Sequence, residues 1–286
     1  METAKIEHGG LERAYLFQRA AQSDLRPPVL IFLHGTGGTA AWAAAETGLP
    51  SAARARGYSL VVPEGLPPNP EKPPRFLTNP PRWNDGSTRP GDSLHSDADD
   101  VEFLDRVLDD VQNRNLGERV FLCGFSNGAG MTFRYAAERA EKLAAIAPVA
   151  GHCWVECPNL ARPLRTLYIL GTADPLIPLR GGAVKSPWGG RLVQRPSVAS
   201  TLEKWAAANR CNPVAKLLRE EPGLREEMYP AIDSNAEFRT LFFDGLGHHW
   251  PGGRGQLNPR IGGPFVPTLP ANDAILSFFD REAPWN

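Results

Sequence analysis

The sequence predicts an α/β fold in which a mainly parallel central sheet carries helices on both faces. Two observations lead there. Apolar runs of strand length alternate with stretches of helical periodicity along the chain. The strand-like runs end in glycine-rich turns that hold polar residues, where open parallel sheets place their functional groups.

Taken in order, residues 14–19 and 29–33 read as strands, 40–56 as an alanine-rich helix and 58–62 as the next strand. Residues 63–90 carry nine prolines, too many for a helix or a central strand, so a long loop is expected. Ser96, Asp97, Ala98 and Asp99 resemble a capping box with an acidic first turn. Val101, Leu104, Val107, Leu108 and Val111 follow as an apolar stripe at helical spacing. Strands at 120–123 and 143–149 flank a helix at 129–139. A strand at 167–170, a helix at 198–209, a strand at 240–243 and a last helix from 274 to 279 continue the alternation. There is no repeat period and no Gly/Ser linker, so residues 1–286 are expected to form one domain.

Balanced charge, 31 basic against 32 acidic residues for a formal net charge of -1, leaves no electrostatic footprint for nucleic acid or an anionic membrane. The longest apolar runs, such as residues 29–33, are too short to span a bilayer. Glu2, Lys5, Glu7, Glu12 and Arg13 deny the first twenty residues an apolar signal core. A cytoplasmic protein and a secreted one without its leader both fit. Cys123 lies in an apolar run and reads as a buried thiol. Cys153, Cys157 and Cys211 read as loop or helix-end residues and leave room for one disulfide. Cys153 and Cys157 have no second Cys/His pair at ligand spacing, so no metal is expected.

The chemistry centres on Gly124-Phe125-Ser126-Asn127-Gly128, a G-x-S-x-G motif between a strand and a helix. In that context a sharp turn lifts the serine hydroxyl above the sheet, and the flanking glycines make room for neighbouring backbone. A serine becomes a nucleophile when an imidazole accepts its proton, and the partners should follow in the order Ser, acid, His. Asp174, in Gly171-Thr172-Ala173-Asp174-Pro175, stands at the end of one strand. Its placement makes it the acid candidate, with a plain turn-forming Asp-Pro as the alternative reading. Asp244 is a weaker acid candidate because it follows the histidine's own strand. His248 and His249 compete for the base, and spacing does not separate them.

The turn His34-Gly35-Thr36-Gly37-Gly38 completes the set, with the backbone N–H groups of Thr36 and Asn127 as the oxyanion hole and no role required of their side chains. Gly37-Gly38 lacks the features of a nucleotide-binding loop. His34, His95 and His152 read as structural or surface residues. Of the tryptophans, Trp83 and Trp250 are expected to line the site.

These segments resemble the polyhydroxybutyrate depolymerase-like and feruloyl esterase group of α/β-hydrolases, in the first carbohydrate esterase family. The likeness rests on Leu33-His34-Gly35, Arg82-Trp83-Asn84-Asp85-Gly86, Asp99-Asp100-Val101-Glu102-Phe103-Leu104 and Gly124 to Met131. It continues through Ala147-Pro148-Val149-Ala150-Gly151, Gly171 to Pro178 and Gly247-His248-His249-Trp250-Pro251-Gly252. The resemblance implies an α/β-hydrolase fold with Ser126 as nucleophile, Asp174 as acid and His248, the first histidine of Gly-His-x-Trp-Pro-Gly, as base. Many members carry Cys where this chain has Thr36, so the disulfide expected there cannot form. The chain shows neither the linker nor the polymer-binding domain of secreted depolymerases, which favours small or oligomeric esters over solid polyester.

The expected activity is thus a serine esterase working through an acyl-enzyme with no metal or organic cofactor, on short-chain or polyhydroxybutyrate-type esters. Feruloyl or acetylxylan esters are the alternative substrates. A serine peptidase usually adds a domain that restricts access, and a non-enzymatic interaction protein would have no use for nucleophile, acid, base and oxyanion turn together.

Overall fold

The computed structural model describes residues 1–21, 26–87, 98–267 and 271–281. Its strands are β1 (Glu2–His8), β2 (Leu11–Gln18), β3 (Val29–Leu33), β4 (Ser59–Pro63), β5 (Val120–Phe125), β6 (Ala145–Val149), β7 (Arg165–Gly171), β8 (Gly182–Lys185), β9 (Leu192–Arg195), β10 (Lys216–Glu221), β11 (Leu224–Tyr229) and β12 (Phe238–Phe243). Ten of them form one sheet in the order β1-β2-β4-β3-β5-β6-β7-β12-β11-β10, while β8 and β9 make a separate hairpin. The run from β4 to β12 pairs in parallel, and antiparallel strands flank it on either side.

The helices are α1 (Ala40–Thr47), α2 (Leu49–Ala55), α3 (Asp100–Asn113), α4 (Asn127–Arg139), α5 (Val198–Ala208), α6 (Pro259–Gly262) and α7 (Ala271–Asp280). Because side chains alternate along a strand, Val29, Ile31 and Leu33 of β3 pack with α3, α4 and α5. Leu30 and Phe32 pack with α1, α2 and α7 on the opposite face. The expected parallel sheet with helices on both faces is therefore the observed architecture.

Several local expectations change. The helix expected over 40–56 is two helices, broken at Gly48, whose φ of +66° ends α1 while Pro50 starts α2. β1, β8, β9, β10 and β11 are not among the expected strands, and β2 begins at Leu11 rather than residue 14. Ser96 and Asp97 of the expected capping box, and His95, lie outside the described residues. The side chain that caps α3 is Asp99, which accepts from Glu102 N at 3.0 Å.

One buried ion pair ties the sheet edge to the site. Arg13 of β2 meets Asp100 at 2.7 Å, with the side chains 1% and 0% exposed. The guanidinium lies 3.5 Å from the centroid of Phe103. The other oxygen of Asp100 accepts from Asn84 N at 2.7 Å, which anchors the segment containing Trp83. A buried charge left alone is far more costly than a pair replaced by apolar groups. Asp100→Ala should therefore lower the unfolding free energy by about 3–5 kcal/mol in urea titration near neutral pH. The double change Arg13→Met with Asp100→Leu should recover most of that loss, and equal losses in both proteins would refute the assignment.

Candidate active site

β5 delivers the chain into Ser126 at φ +57° and ψ −116°, and α4 starts at the next residue. A non-glycine residue there carries strain of roughly 1–3 kcal/mol, which the surroundings must hold. Ser126 N donates to Val149 O at 2.8 Å. The turn is also packed too tightly for side chains. A Cβ on Gly124 would lie 2.2 Å from Gly128 O, and one on Gly128 would lie 2.2 Å from Leu33 O. The motif's glycines are thus fixed by backbone-to-backbone approach.

Asp174 follows β7 and His248 follows β12, two neighbouring strands that lie on the β6 side of β5. His248 Nδ1 meets Asp174 Oδ2 at 2.7 Å, and His248 Nε2 meets Ser126 Oγ at 2.8 Å. Asp174 Oδ1 accepts from Leu176 N and Ile177 N, each at 2.8 Å. Asp174 thus makes the contacts that both explanations require: one oxygen builds the turn and the other faces the imidazole. The His248 loop is pinned by Gly247 N to Pro264 O at 2.7 Å and His248 N to Gly262 O at 2.6 Å. His249 points elsewhere, its Nε2 3.2 Å from Gly263 O and its ring edge-on to Phe265. Burial lowers its pKa from the usual histidine range. Asp244 accepts from Thr172 Oγ1 at 2.9 Å and does not reach the imidazole.

Thr36 and Asn127 flank Ser126, and the hydrogen-bond network gives their N–H groups no acceptor among the described residues. Asn127 is the first residue of α4, so its N–H sits at the positive end of the helix. The Asn127 side chain has a part that sequence reasoning missed. Its Oδ1 accepts from Trp83 N at 2.7 Å, and its Nδ2 donates to Trp83 O at 3.0 Å and to Asp85 Oδ2 at 2.8 Å. The Trp83 indole donates to His34 O at 2.9 Å. Trp83 therefore braces the two turns that bear Thr36 and Asn127.

His34 is wholly buried and structural. Its Nδ1–H donates to Gly35 O at 2.9 Å, and its Nε2 accepts from Gly65 N at 2.9 Å. That pairing fixes the neutral tautomer, and burial holds the imidazole pKa down to about 4. Nearby Glu64 accepts from Ala40 N at 2.8 Å, and burial pushes its carboxyl up to about 7.

Two cavities meet at Ser126. The smaller, about 60 Å³, is polar and includes Asn84, Asp85, Asn127, His152, Ser186 and Arg195 in its wall. The larger, about 410 Å³, is apolar and is walled by Trp42, Phe76, Leu77, Trp188, Leu257 and Ile261. Of the two tryptophans expected to line the site, Trp83 borders the polar cavity and Trp250 borders neither. Each is only 2% exposed. The Trp250 indole donates to Asn272 Oδ1 at 3.0 Å and packs on Phe32 and Phe125. The four cysteines are free, and only Cys157 of them is exposed.

A family profile described as phospholipase/carboxylesterase matches residues 20–198. A protein from Nocardia uniformis subsp. tsuyamanensis named as an esterase, NocK, is 31% identical over 94% of this chain and 79% of its own length. Feruloyl esterase B of Piromyces equi is 27% identical over 54% of this chain, though only 29% of its own length is spanned. Among solved structures, an acetyl xylan esterase from Aspergillus awamori superposes with a TM-score of 0.59 at 14% identity, covering 87% of this chain and 94% of that one. That likeness is one of fold alone.

The His34 geometry predicts a pH effect on stability. Its folded pKa lies below the usual 6.5, so its contribution is present above that value and is lost as pH falls towards about 4. Glu64, raised in the fold, acts in the opposite sense over about 4.5 to 7 and is common to the proteins compared. His34→Gln keeps a donor and an acceptor but does not titrate. Between pH 7 and 5 (roughly the titration range of histidine), it should lose less stability in urea titrations than the parent. Equal losses would show that His34 is not the responsible group.

Proposed function

We propose that this chain, which belongs to the phospholipase/carboxylesterase family, hydrolyses carboxylic esters through an acyl-enzyme formed on Ser126. Family membership makes it a carboxylic ester hydrolase, and the roles of individual residues are inferred from their geometry. The observation that carries them is the unbroken line from Asp174 Oδ2 through His248 to Ser126 Oγ, with contacts of 2.7 and 2.8 Å.

Ser126 Oγ attacks the ester carbonyl while His248 Nε2 takes its proton. Asp174 holds the other ring nitrogen, which fixes the tautomer and stabilises the imidazolium. The N–H groups of Thr36 and Asn127 receive the negative oxygen of the tetrahedral intermediate, whose charge also gains from the start of α4. His248 then protonates the departing alkoxide, and a water repeats the sequence to free the acid. Nothing in these steps calls for a metal or organic cofactor.

Small or oligomeric esters fit a site with cavities of this size. Relatives named feruloyl esterase, and one named acetylxylan esterase/xylanase, support a second reading on plant cell-wall esters. The aromatic side chains around the larger cavity give that reading its structural support.

Ser126→Ala and His248→Ala should each reduce kcat on p-nitrophenyl butyrate by roughly 10⁴-fold or more without altering the circular dichroism spectrum. His249→Ala should retain activity within about tenfold, since it is loop packing that is lost. Near-parental turnover by Ser126→Ala, or loss confined to His249→Ala, would overturn these roles.

A further inference from the structure

We infer that the two cavities divide the ester between them, with the alcohol half in the apolar cavity and a short acyl half in the polar one. The inference rests on the acyl-enzyme reading above. When the tetrahedral intermediate collapses, the imidazolium gives its proton to the leaving oxygen, so that oxygen must lie within hydrogen-bond reach of Nε2. His248 borders the apolar cavity and does not border the polar one. The leaving alcohol therefore extends past His248 into the apolar cavity.

The remaining substituents are placed by the oxyanion donors. Thr36 borders both cavities and Asn127 only the polar one, so the carbonyl oxygen lies at their seam. The acyl carbon chain is then left with the polar side. Trp188 stands in the wall of both cavities and is fixed there by its indole, which donates to Phe76 O at 2.7 Å.

Size and lining select the chemistry of each half. The polar cavity, about 60 Å³ against about 410 Å³, is the tighter of the two and so takes the shorter half of the ester. An acetyl, butyryl or short hydroxyacyl group fits. A hydroxycinnamoyl group, an aromatic ring on a three-carbon chain, matches its size and polar lining less well. The larger cavity, about 410 Å³, falls within the range for small-molecule ligands, and its Trp42, Phe76, Trp188, Leu257 and Ile261 suit an aryl or alkyl alcohol. The substrate class assigned is thus a short-chain carboxylic ester of a bulky apolar alcohol or phenol. That is the reverse of an aromatic acid esterified to a polar sugar.

A reversed pair of isomeric esters tests this: 2-phenylethyl acetate against methyl 3-phenylpropanoate. The first should be hydrolysed with a kcat/KM roughly tenfold or more above the second. Along phenyl acetate, butyrate and hexanoate, kcat/KM should fall beyond butyrate. Leu77, 62% exposed, allows a charge to be placed in the apolar cavity with little risk to folding. Leu77→Asp should lower kcat/KM for 2-phenylethyl acetate by roughly tenfold and for ethyl acetate by several-fold less. A preference for methyl 3-phenylpropanoate, or an equal effect of Leu77→Asp on both acetates, would overturn the division of the ester. Failure to hydrolyse any of these esters would instead remove the ester-hydrolase reading on which the division stands.

Discussion

A left-handed backbone turn at Ser126 is the constraint round which the rest of the site is arranged. With φ at +57°, the chain leaves β5 and enters α4 within one residue, so the hydroxyl projects from the turn and the first N–H of the helix lies beside it. Such a turn closes only if nearby backbone comes very near. Gly124, Gly128 and Gly151 each permit that approach, since a methyl group at any of them would clash with a backbone oxygen. The sheet then does the remaining positioning. β7 and β12 are neighbours, so the loops after them bring Asp174 and His248 together across 74 residues of sequence.

Around that turn lies a polar bracket inside the protein. The Asn127 side chain grips both ends of the Trp83 peptide unit and Asp85, the Trp83 indole grips His34 O, and the His34 ring spans Gly35 and Gly65. Each of these groups is buried or nearly so, and each would be costly if left without its partner. The bracket therefore has one well-satisfied arrangement, and that arrangement fixes where the Thr36 and Asn127 N–H groups stand. On the proposed mechanism it keeps donors aimed at a point where charge will develop, so that little reorganisation remains at the moment of reaction.

How much of this was legible depended on the physical signal each feature leaves. Buried strands such as β3 and β7 show as apolar runs because both faces are covered. β10 is exposed along its whole length and rich in charge, so it has no apolar pattern to read. β1 is likewise mostly exposed. The turns Gly9-Gly10 and Pro222-Gly223 are the hairpin signals those edges leave. Gly48 and Pro50 likewise announced the break between α1 and α2. In the site, Ser126, Asp174 and the pair His248/His249 were legible because strand-end loops and chain order restrict the candidates. Adjacent histidines in a loop look alike in sequence; only the pinning of the loop by Gly262 O and Pro264 O turns one towards Ser126. The burial of Trp83 and Trp250 was not legible, since it depends on partners such as His34 and Asn272, set by the tertiary fold.

The site thus separates two kinds of wall. Chemistry sits on parts held by backbone hydrogen bonds, buried polar contacts and glycine close approaches, where almost any change disturbs the geometry. The faces towards substrate come instead from loops and the short helix α6, including Phe76, Leu77, Trp188, Leu257 and Ile261, of which Leu77 is largely exposed. Loop side chains of this kind exchange at small cost to the fold, whereas a change at Gly128 or Asn127 reaches the turn itself. Substrate preference can therefore shift through the cavity walls while the line from Asp174 to Ser126 stays intact. The shape of those walls, rather than the identity of the nucleophile, then carries the information about which ester is cleaved. The decisive feature is geometric: one imidazole borders one cavity, and the direction in which its proton leaves assigns the two sides of the bond.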